Sequence, residues 1–336
     1  AMFLFSVCQR AFASVVGTMS PGTQSNPGTR PPRFWVPRIF VRNFMNESSK
    51  ILLTGGTGLL GREVTNLLCD SSELHLLMRG KCGVPELFNA VSHQIDLAKD
   101  WKDDSLPGKI DAVIHLAQSE HFREFPDKAT DIFRVNVEST ARLLDYAYRA
   151  GARHFVYASS GGVYGHGNQA FKENAPVVDS GKLGYYLSSK YSSELLVQQY
   201  SSLMQVTILR FFFIYGKGQR RSMLLPRLID GIRSGDPVSL DGQNGIRINP
   251  IHVTDAAKAL IASLGAGGNQ TFNIGGAEEM TLFEICETMS KCIGVAASYQ
   301  RSDVNPNDLI GDVSAMKSKL HVPKIPFRKG IKDLIP

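Results

Sequence analysis

The stretch "KILLTGGTGLLGREVTNLL", running from Lys50, constrains the fold more than any other part of the chain. It reads as a short buried strand, a glycine turn and then a helix. The glycines Gly55, Gly58 and Gly61 are spaced G-x-x-G-x-x-G. Gly55 permits a tight turn, Gly58 lets the backbone approach a pyrophosphate, and Gly61 lets the helix pack close to the strand. Exposed N–H groups at the helix start then face phosphate charge. A glycine triplet alone is a weak signal, and its bland reading is a glycine-rich strand-to-helix turn. The strand before it and the helix after it make it a candidate dinucleotide site.

The chain continues in alternation. "ELHLLMRG", "AVSHQID", "IDAVIHLA", "RHFVYASS" and "VTILRFF" read as further strands. Residues 129–150 and 185–203 read as helices, the first ended by Gly151. This order predicts an α/β fold, a Rossmann-type doubly wound parallel sheet with helices on both faces and ligands at its carboxyl edge. After Tyr215 the pattern loosens into a helix over Leu224 to Ser234, a strand at "PVSL", a helix over 282–292 and a Pro-rich end. We read three regions. Residues 1–46 are an N-terminal extension, 47–215 a dinucleotide-binding domain, and 216–336 mainly a small C-terminal α/β substrate lobe interleaved with the core.

Charge is local. The formal net charge is +6, but residues 1–46 carry Arg10, Arg30, Arg33, Arg38 and Arg42 and no acid. The body is near neutral, so no nucleic-acid footprint is indicated. The Arg-bearing, Ser/Gly/Pro-rich extension lacks an amphipathic period. We read it as a disordered tail or upstream extension; an organellar transit segment is the alternative. Five scattered cysteines without a CxxC argue against a disulfide framework or a metal site and for a reducing, cytoplasmic compartment. No apolar run is long enough for stable membrane insertion.

The candidate chemistry lies in "YASSGGVYG" and "GYYLSSKYSSE". Ser159 and Ser160 end a strand at the ligand edge. Tyr186 stands four before Lys190, so the two share a helix face, whereas Tyr185 points elsewhere. A free phenol titrates near ~10, and a nearby ammonium is expected to lower that value and make the phenol a usable base. A serine hydroxyl holds a substrate oxygen in place. Beside a nicotinamide, this set transfers hydride at a carbinol or ketone. The strand at "ELHLLMRG" ends in Arg79, with no Asp or Glu between Leu74 and Pro85. A carboxylate for a ribose diol is missing there, and Arg79 offers a cation to a 2′-phosphate. NADP(H) is therefore expected over NAD(H).

As a set, these motifs resemble the extended short-chain dehydrogenase/reductases of the nucleotide-sugar epimerase/dehydratase type. The matching residues are "TGGTGLLG", Asp96-Leu97, "HLA" from His115, "NVEST" from Asn136, "SSGGVYG", "YLSSK", "LRFFFIYGKGQ", "IHVTDAA" and "FNIGG". The resemblance implies that Tyr186 is the catalytic acid/base, that Lys190 binds the nicotinamide ribose and tunes it, and that Ser160 is the catalytic hydroxyl. It implies cofactor contacts from Gly55, Thr57, Gly58, Leu59, Leu60 and Gly61. Asp96 and Leu97 are expected against the adenine, Leu116 and Ala117 along the cofactor cleft, and Phe211 and Phe213 beside the nicotinamide and sugar. Expected substrate residues are Ser160, Gly161, Phe213, Arg220 and Arg247. His115, Asn136 and His252 read as structural. The resemblance also implies a homodimer through the helices over 129–150 and 185–203.

Departures narrow the chemistry. The family's 4,6-dehydratases carry Asp-Glu after the active hydroxyl, where this chain has Gly161 and Gly162. Phe213 stands where many epimerases have asparagine, and Arg247 is displaced by one from the arginine that usually grips the diphosphate. The expected activity is C4 epimerisation or 4-keto reduction of a nucleotide-sugar. The alternatives are reduction of a non-sugar alcohol or ketone, and a catalytically silent NAD(P)-sensing regulator.

Overall fold

The computed structural model describes residues 49–80 and 90–335. The extension over 1–46, with its transit alternative, lies outside the described residues, as does Cys82.

The core is one parallel seven-stranded sheet. It contains β1 (Lys50–Thr54), β2 (Glu73–Met78), β3 (Ala90–Gln94), β4 (Ala112–His115), β5 (His154–Ser160) and β6 (Gln205–Phe211), together with a late strand, Gln270–Ile274. Its order puts β1 between β2 and β4, so the chain reverses its direction of travel across the sheet at the β1–β4 junction. The crevice above such a junction is where open parallel sheets take ligands. The Gly55–Gly61 turn leaves β1 at that point.

Strand alternation explains the two-sided core. Ile51 and Leu53 pack with Val64 and Leu68 of helix α1 (Leu59–Leu68) on one face, and Leu52 packs with Leu143, Leu144 and Val197 on the other. A period of two sends neighbouring side chains to opposite faces, so a strand covered on both faces reads as a continuous apolar run. Ile51, Leu52 and Leu53 are fully buried. Each such side chain stabilises the fold by about 1.5–3 kcal/mol relative to exposure.

The helical pattern over 129–150 is interrupted. Helix α2 (Ala129–Phe133) passes through a π turn (Arg134–Glu138) into α3 (Ser139–Arg149). The helix read over 185–203 belongs to α4 (Ser180–Gln199), which is broken at Gly184 and followed by a 3₁₀ turn, Tyr200–Ser202.

The C-terminal third is built on α5 (Leu224–Ser234), α6 (Val253–Ser263) and α7 (Leu282–Ile293). Its short strands pair as β7 (Ile214–Tyr215) with β10 (Ile251–His252), β8 (Val238–Asp241) with β13 (Tyr299–Ser302), and β9 (Arg247–Ile248) with β12 (Met280–Thr281). It also supplies Gln270–Ile274, here β11, as the edge strand beside β6, and Ala256 and Leu260 of α6 join the core over α1. The sequence reading did not assign β11 to the central sheet. A separate cluster of Leu225, Ile229, Leu240, Ile285, Cys286 and Met289 holds the lobe together. Among the described residues Cys69, Cys286 and Cys292 are free, no group of metal-ligating side chains gathers, and no helix is long and apolar enough to cross a membrane.

Candidate active site

The crevice above the β1–β4 junction is a cleft of about 790 Å³. Its floor is the glycine turn. Gly55 has φ +72°, and a Cβ there would meet the Ala117 nitrogen at 2.8 Å. A Cβ on Gly61 would meet the Gly55 carbonyl oxygen at 2.0 Å. Only glycine fits both positions, and the bare backbone is left facing the cleft. These residues fit a dinucleotide pyrophosphate, with Thr57, Gly58, Leu59 and Leu60 lining the same floor. Leu97, Leu116, Ala117 and Phe211 line the walls. Asp96 lines them too, and its Oδ1 accepts from the Ala98 N–H at 3.1 Å.

The catalytic candidates stand on one wall. Ser160, Tyr186 and Lys190 all line the cleft. The Ser160 Oγ accepts from the Gly162 N–H at 3.1 Å, which caps the 3₁₀ turn Gly161–Tyr164 and fixes the hydroxyl. The Tyr186 hydroxyl donates to the Gln118 Oε1 at 2.9 Å, and its ring packs on Phe122. The Lys190 Nζ donates to the Ala158 carbonyl at 2.9 Å and lies 5.2 Å from the Tyr157 ring centre. Thus the ammonium is anchored on β5.

The electrostatics correct the sequence reading. The Tyr186 phenol was expected to titrate low beside Lys190. Burial instead pushes it above its ordinary range, while burial pulls the Lys190 ammonium down to about 8 despite the attraction of Glu194. Burial is the one cause acting on the phenol, and it favours the neutral form of each group, the protonated phenol and the unprotonated amine.

A chain of hydrogen bonds ties the glycine turn to the helix that carries Tyr186. The Ala117 N–H donates to the Thr54 Oγ1, which lies 2.7 Å from the His115 Nδ1; the His115 Nε2 lies 3.0 Å from the Thr140 Oγ1, which donates to the Asn136 carbonyl at 2.6 Å. These directions require Nδ1 to accept and Nε2–H to donate. Burial holds the imidazole neutral, at about 3. Asn136 sits in the π turn, accepts from the Ser119 N–H at 2.9 Å and donates to the Ser189 Oγ at 2.9 Å, which in turn donates to the Tyr186 carbonyl. Asn136 therefore positions the helix of Tyr186. His252 caps α6 through the Thr254 N–H.

Two substrate candidates move away from the cleft. Gly161 is not among the lining residues; a Cβ there would meet the Phe212 ring at 2.4 Å, so this position packs on an aromatic side chain. Arg247 also lies outside the lining, with its Nε bonded to the Asp308 Oδ2 at 2.8 Å and its Nη2 to the Asn168 carbonyl. Phe213 and Arg220 do line it. Phe213 has φ +47°, the left-handed region that asparagine enters more readily than an aromatic residue. Arg79 lines the cleft, but its Nη1 is bonded to the Glu120 Oε1 at 2.5 Å.

Gln118, Glu120, Phe122, Met223, Leu225 and Leu309 also line the cleft and were missed in the sequence. Gln118 and Glu120 follow "HLA" directly at the carboxyl end of β4. The rule that ligands meet strand ends was the signal that could have found them.

The switch-point crevice, the three-glycine turn and the Ser–Tyr–Lys wall define a dinucleotide-dependent enzyme on a Rossmann fold. Residues 51–275 match the NAD dependent epimerase/dehydratase family, and the chain belongs to that family, as an extended short-chain dehydrogenase/reductase. It is 30% identical over 244 residues to the dTDP-D-glucose 4,6-dehydratase of Mus musculus, covering 68% of this chain and 67% of that protein. It is 27% identical over 233 residues to the UDP-glucuronate 4-epimerase of Thermodesulfobacterium geofontis, covering 67% of this chain and 72% of that one. Among solved structures, MoeE5 in complex with UDP-glucuronic acid and NAD aligns with a TM-score of 0.72 at 25% identity, over 85% of this chain and 97% of that one.

Proposed function

We propose that this chain interconverts nucleotide-sugars by C4 epimerisation, with Tyr186 as the acid/base. The observation that carries the reading is the convergence of Ser160, Tyr186 and Lys190 on the wall of the cleft floored by the glycine turn. The NAD-containing MoeE5 complex and the epimerase relative support a nucleotide-sugar substrate and an NAD(H) cofactor. The NADP(H) preference drawn from Arg79 gains no support, because that guanidinium is already bonded to Glu120.

When bound, the dinucleotide supplies the acceptor and donor of hydride. This chain's residues handle the proton and the geometry. Tyr186 Oη, as the phenolate, takes the proton of the C4 hydroxyl and returns it from the phenol so formed; in its protonated state that phenol donates to the Gln118 Oε1. Burial raises the phenol, so its use as a base rests on positive charge brought beside it, and Lys190 is the resident source. The Ser160 hydroxyl orients the substrate oxygen, and Phe213, Leu225 and Leu309 exclude water from the sugar end. The 4,6-dehydratase reaction is disfavoured, since Gly161 and Gly162 offer no carboxylate and a side chain at Gly161 meets Phe212.

The reading includes a homodimer through α2–α3 and α4, which expose Phe133 and Leu195; light scattering of the purified protein checks it. The function itself is tested with a panel of UDP-, dTDP- and GDP-sugars. Expected are thermal stabilisation by one nucleotide class and conversion of one sugar to its C4 epimer without net consumption of reduced dinucleotide. Net consumption with a 4-keto sugar establishes the reductase instead.

A further inference from the structure

The end of β2 lacks the carboxylate of an ordinary NAD site. No Asp or Glu occurs between Leu74 and Pro85, and Arg79 directly follows the strand. The structure brings a carboxylate there from elsewhere. Glu120, on the loop after β4, lines the same cleft as Arg79 and Asp96. Its Oε1 lies 2.5 Å from the Arg79 Nη1, and its Oε2 lies 3.5 Å from the Arg220 Nη2. The preceding residue holds the loop still. Ser119 is buried, its N–H donates to the Asn136 Oδ1 at 2.9 Å, and its Oγ donates to the Asp131 Oδ2 at 2.5 Å.

We propose that Glu120 supplies the carboxylate missing from the end of β2 and selects a dinucleotide whose adenosine ribose carries a free 2′-hydroxyl. The inference rests on the cofactor reading of the cleft. A ribose diol donates hydrogen bonds, and an ionised carboxylate only accepts them, so the two match. A 2′-phosphate is itself an anion and an acceptor. It meets a guanidinium whose nearest donor is already used and a carboxylate of its own sign. The Arg79 bond lowers the Glu120 carboxyl from its ordinary value, so the repelling charge is present at neutral pH. Asp96 and Asp131 add to the negative field around Arg79. Arg79 and Arg220 are both largely exposed, at 60% and 62%, so water and salt screen both guanidinium charges, while the Glu120 side chain is 36% exposed. Glu120 thereby reverses what Arg79 alone specifies.

The test is calorimetric titration of the full chain with NAD⁺ and with NADP⁺, for the unaltered protein, Glu120→Gln, Arg79→Ala and the double variant. The unaltered protein is expected to bind NAD⁺ at least about tenfold more tightly than NADP⁺. Glu120→Gln is expected to move that ratio toward NADP⁺ by about tenfold or more, because it frees Arg79 and removes the like charge. Adding Arg79→Ala is expected to abolish the gain. A ratio unchanged in Glu120→Gln, with its melting temperature unchanged, overturns the role of Glu120. Should that variant fail to fold, Glu120→Asp, which shortens the reach to Arg79, is expected to shift the ratio the same way; no shift overturns the proposal. An unaltered protein that binds neither dinucleotide overturns the cofactor reading beneath it, and is recognised by the loss of both titrations.

Discussion

Glu194 and Arg210 form a two-point ion pair sealed between α4 and β6: the Arg210 Nε lies 3.0 Å from the Glu194 Oε1, and its Nη2 2.6 Å from the Oε2. Both side chains are buried, and the Ser159 Oγ donates to the Glu194 Oε1 at 2.5 Å. Ser159 adjoins Ser160, and Glu194 stands one helical turn after Lys190. Removing one partner leaves the other as an uncompensated charge in the interior. Glu194→Gln is expected to destabilise the fold by about 3–5 kcal/mol, measured by urea unfolding. The double change Glu194→Gln with Arg210→Met is expected to be milder, since no net charge is then left buried. Equal losses would contradict the pairing.

The glycine turn makes a second prediction. Gly61→Ala forces a Cβ against the Gly55 carbonyl oxygen, so α1 must shift away from β1. The expected cost is about 1–3 kcal/mol of stability, with dinucleotide affinity lost more than tenfold because the helix N-terminus moves with it. Calorimetric titration and thermal melting read the two effects separately. Full affinity in the variant would contradict the close approach seen here.

The Lys190 ammonium predicts a rise in stability with alkaline pH. Below about 8 it is protonated in the folded and the unfolded chain, and its burial penalty is fully present. Above that value the folded chain has released the proton, while the unfolded chain holds it to about 10.4. The unfolded state then binds more protons, so stability grows with pH across this window. Lys190→Met is expected to be more stable than the unaltered protein at pH 7 by on the order of 2 kcal/mol. That advantage is expected to shrink toward pH 10 in paired urea titrations.

Two buried histidines act in the opposite part of the scale. Burial holds His115 at about 3 and His154 at about 4, both neutral in the fold. Between the ordinary value near 6.5 and these values, the unfolded chain takes protons that the folded chain refuses. Stability contributed by these groups is present above pH 6.5 and is lost as the pH falls, by on the order of 3 kcal/mol each near pH 4. Replacing His115 by Asn is expected to flatten the acid limb of the stability profile. An unchanged acid limb would contradict a neutral, buried His115.

The order of strands and helices was legible because each central strand is buried on both faces, and each helix between them follows a turn signal. β11 was not, since a five-residue strand late in the chain gives no local sign of which sheet it joins. The π turn at Arg134–Glu138 was hidden because its sequence keeps the helical pattern. At the site, Tyr186 and Lys190 could be paired by spacing, and both reach the cleft. Their titration could not be read that way, because burial depends on what the rest of the fold packs over them. Arg79 illustrates the same limit. Its partner Glu120 lies on another strand's loop, so local sequence showed a free cation where the fold makes an ion pair. Arg247 pairs with Asp308 for the same reason.

The central claim is that the Tyr186 hydroxyl moves the proton of a sugar hydroxyl. Tyr186→Phe removes that oxygen and little else, so the direct measurement is turnover of the stabilising nucleotide-sugar by this variant beside its dinucleotide and sugar-nucleotide affinities. The account predicts that turnover falls by about a hundredfold or more, while both affinities stay within a few-fold of the unaltered protein. Turnover that survives in the phenylalanine variant would contradict it.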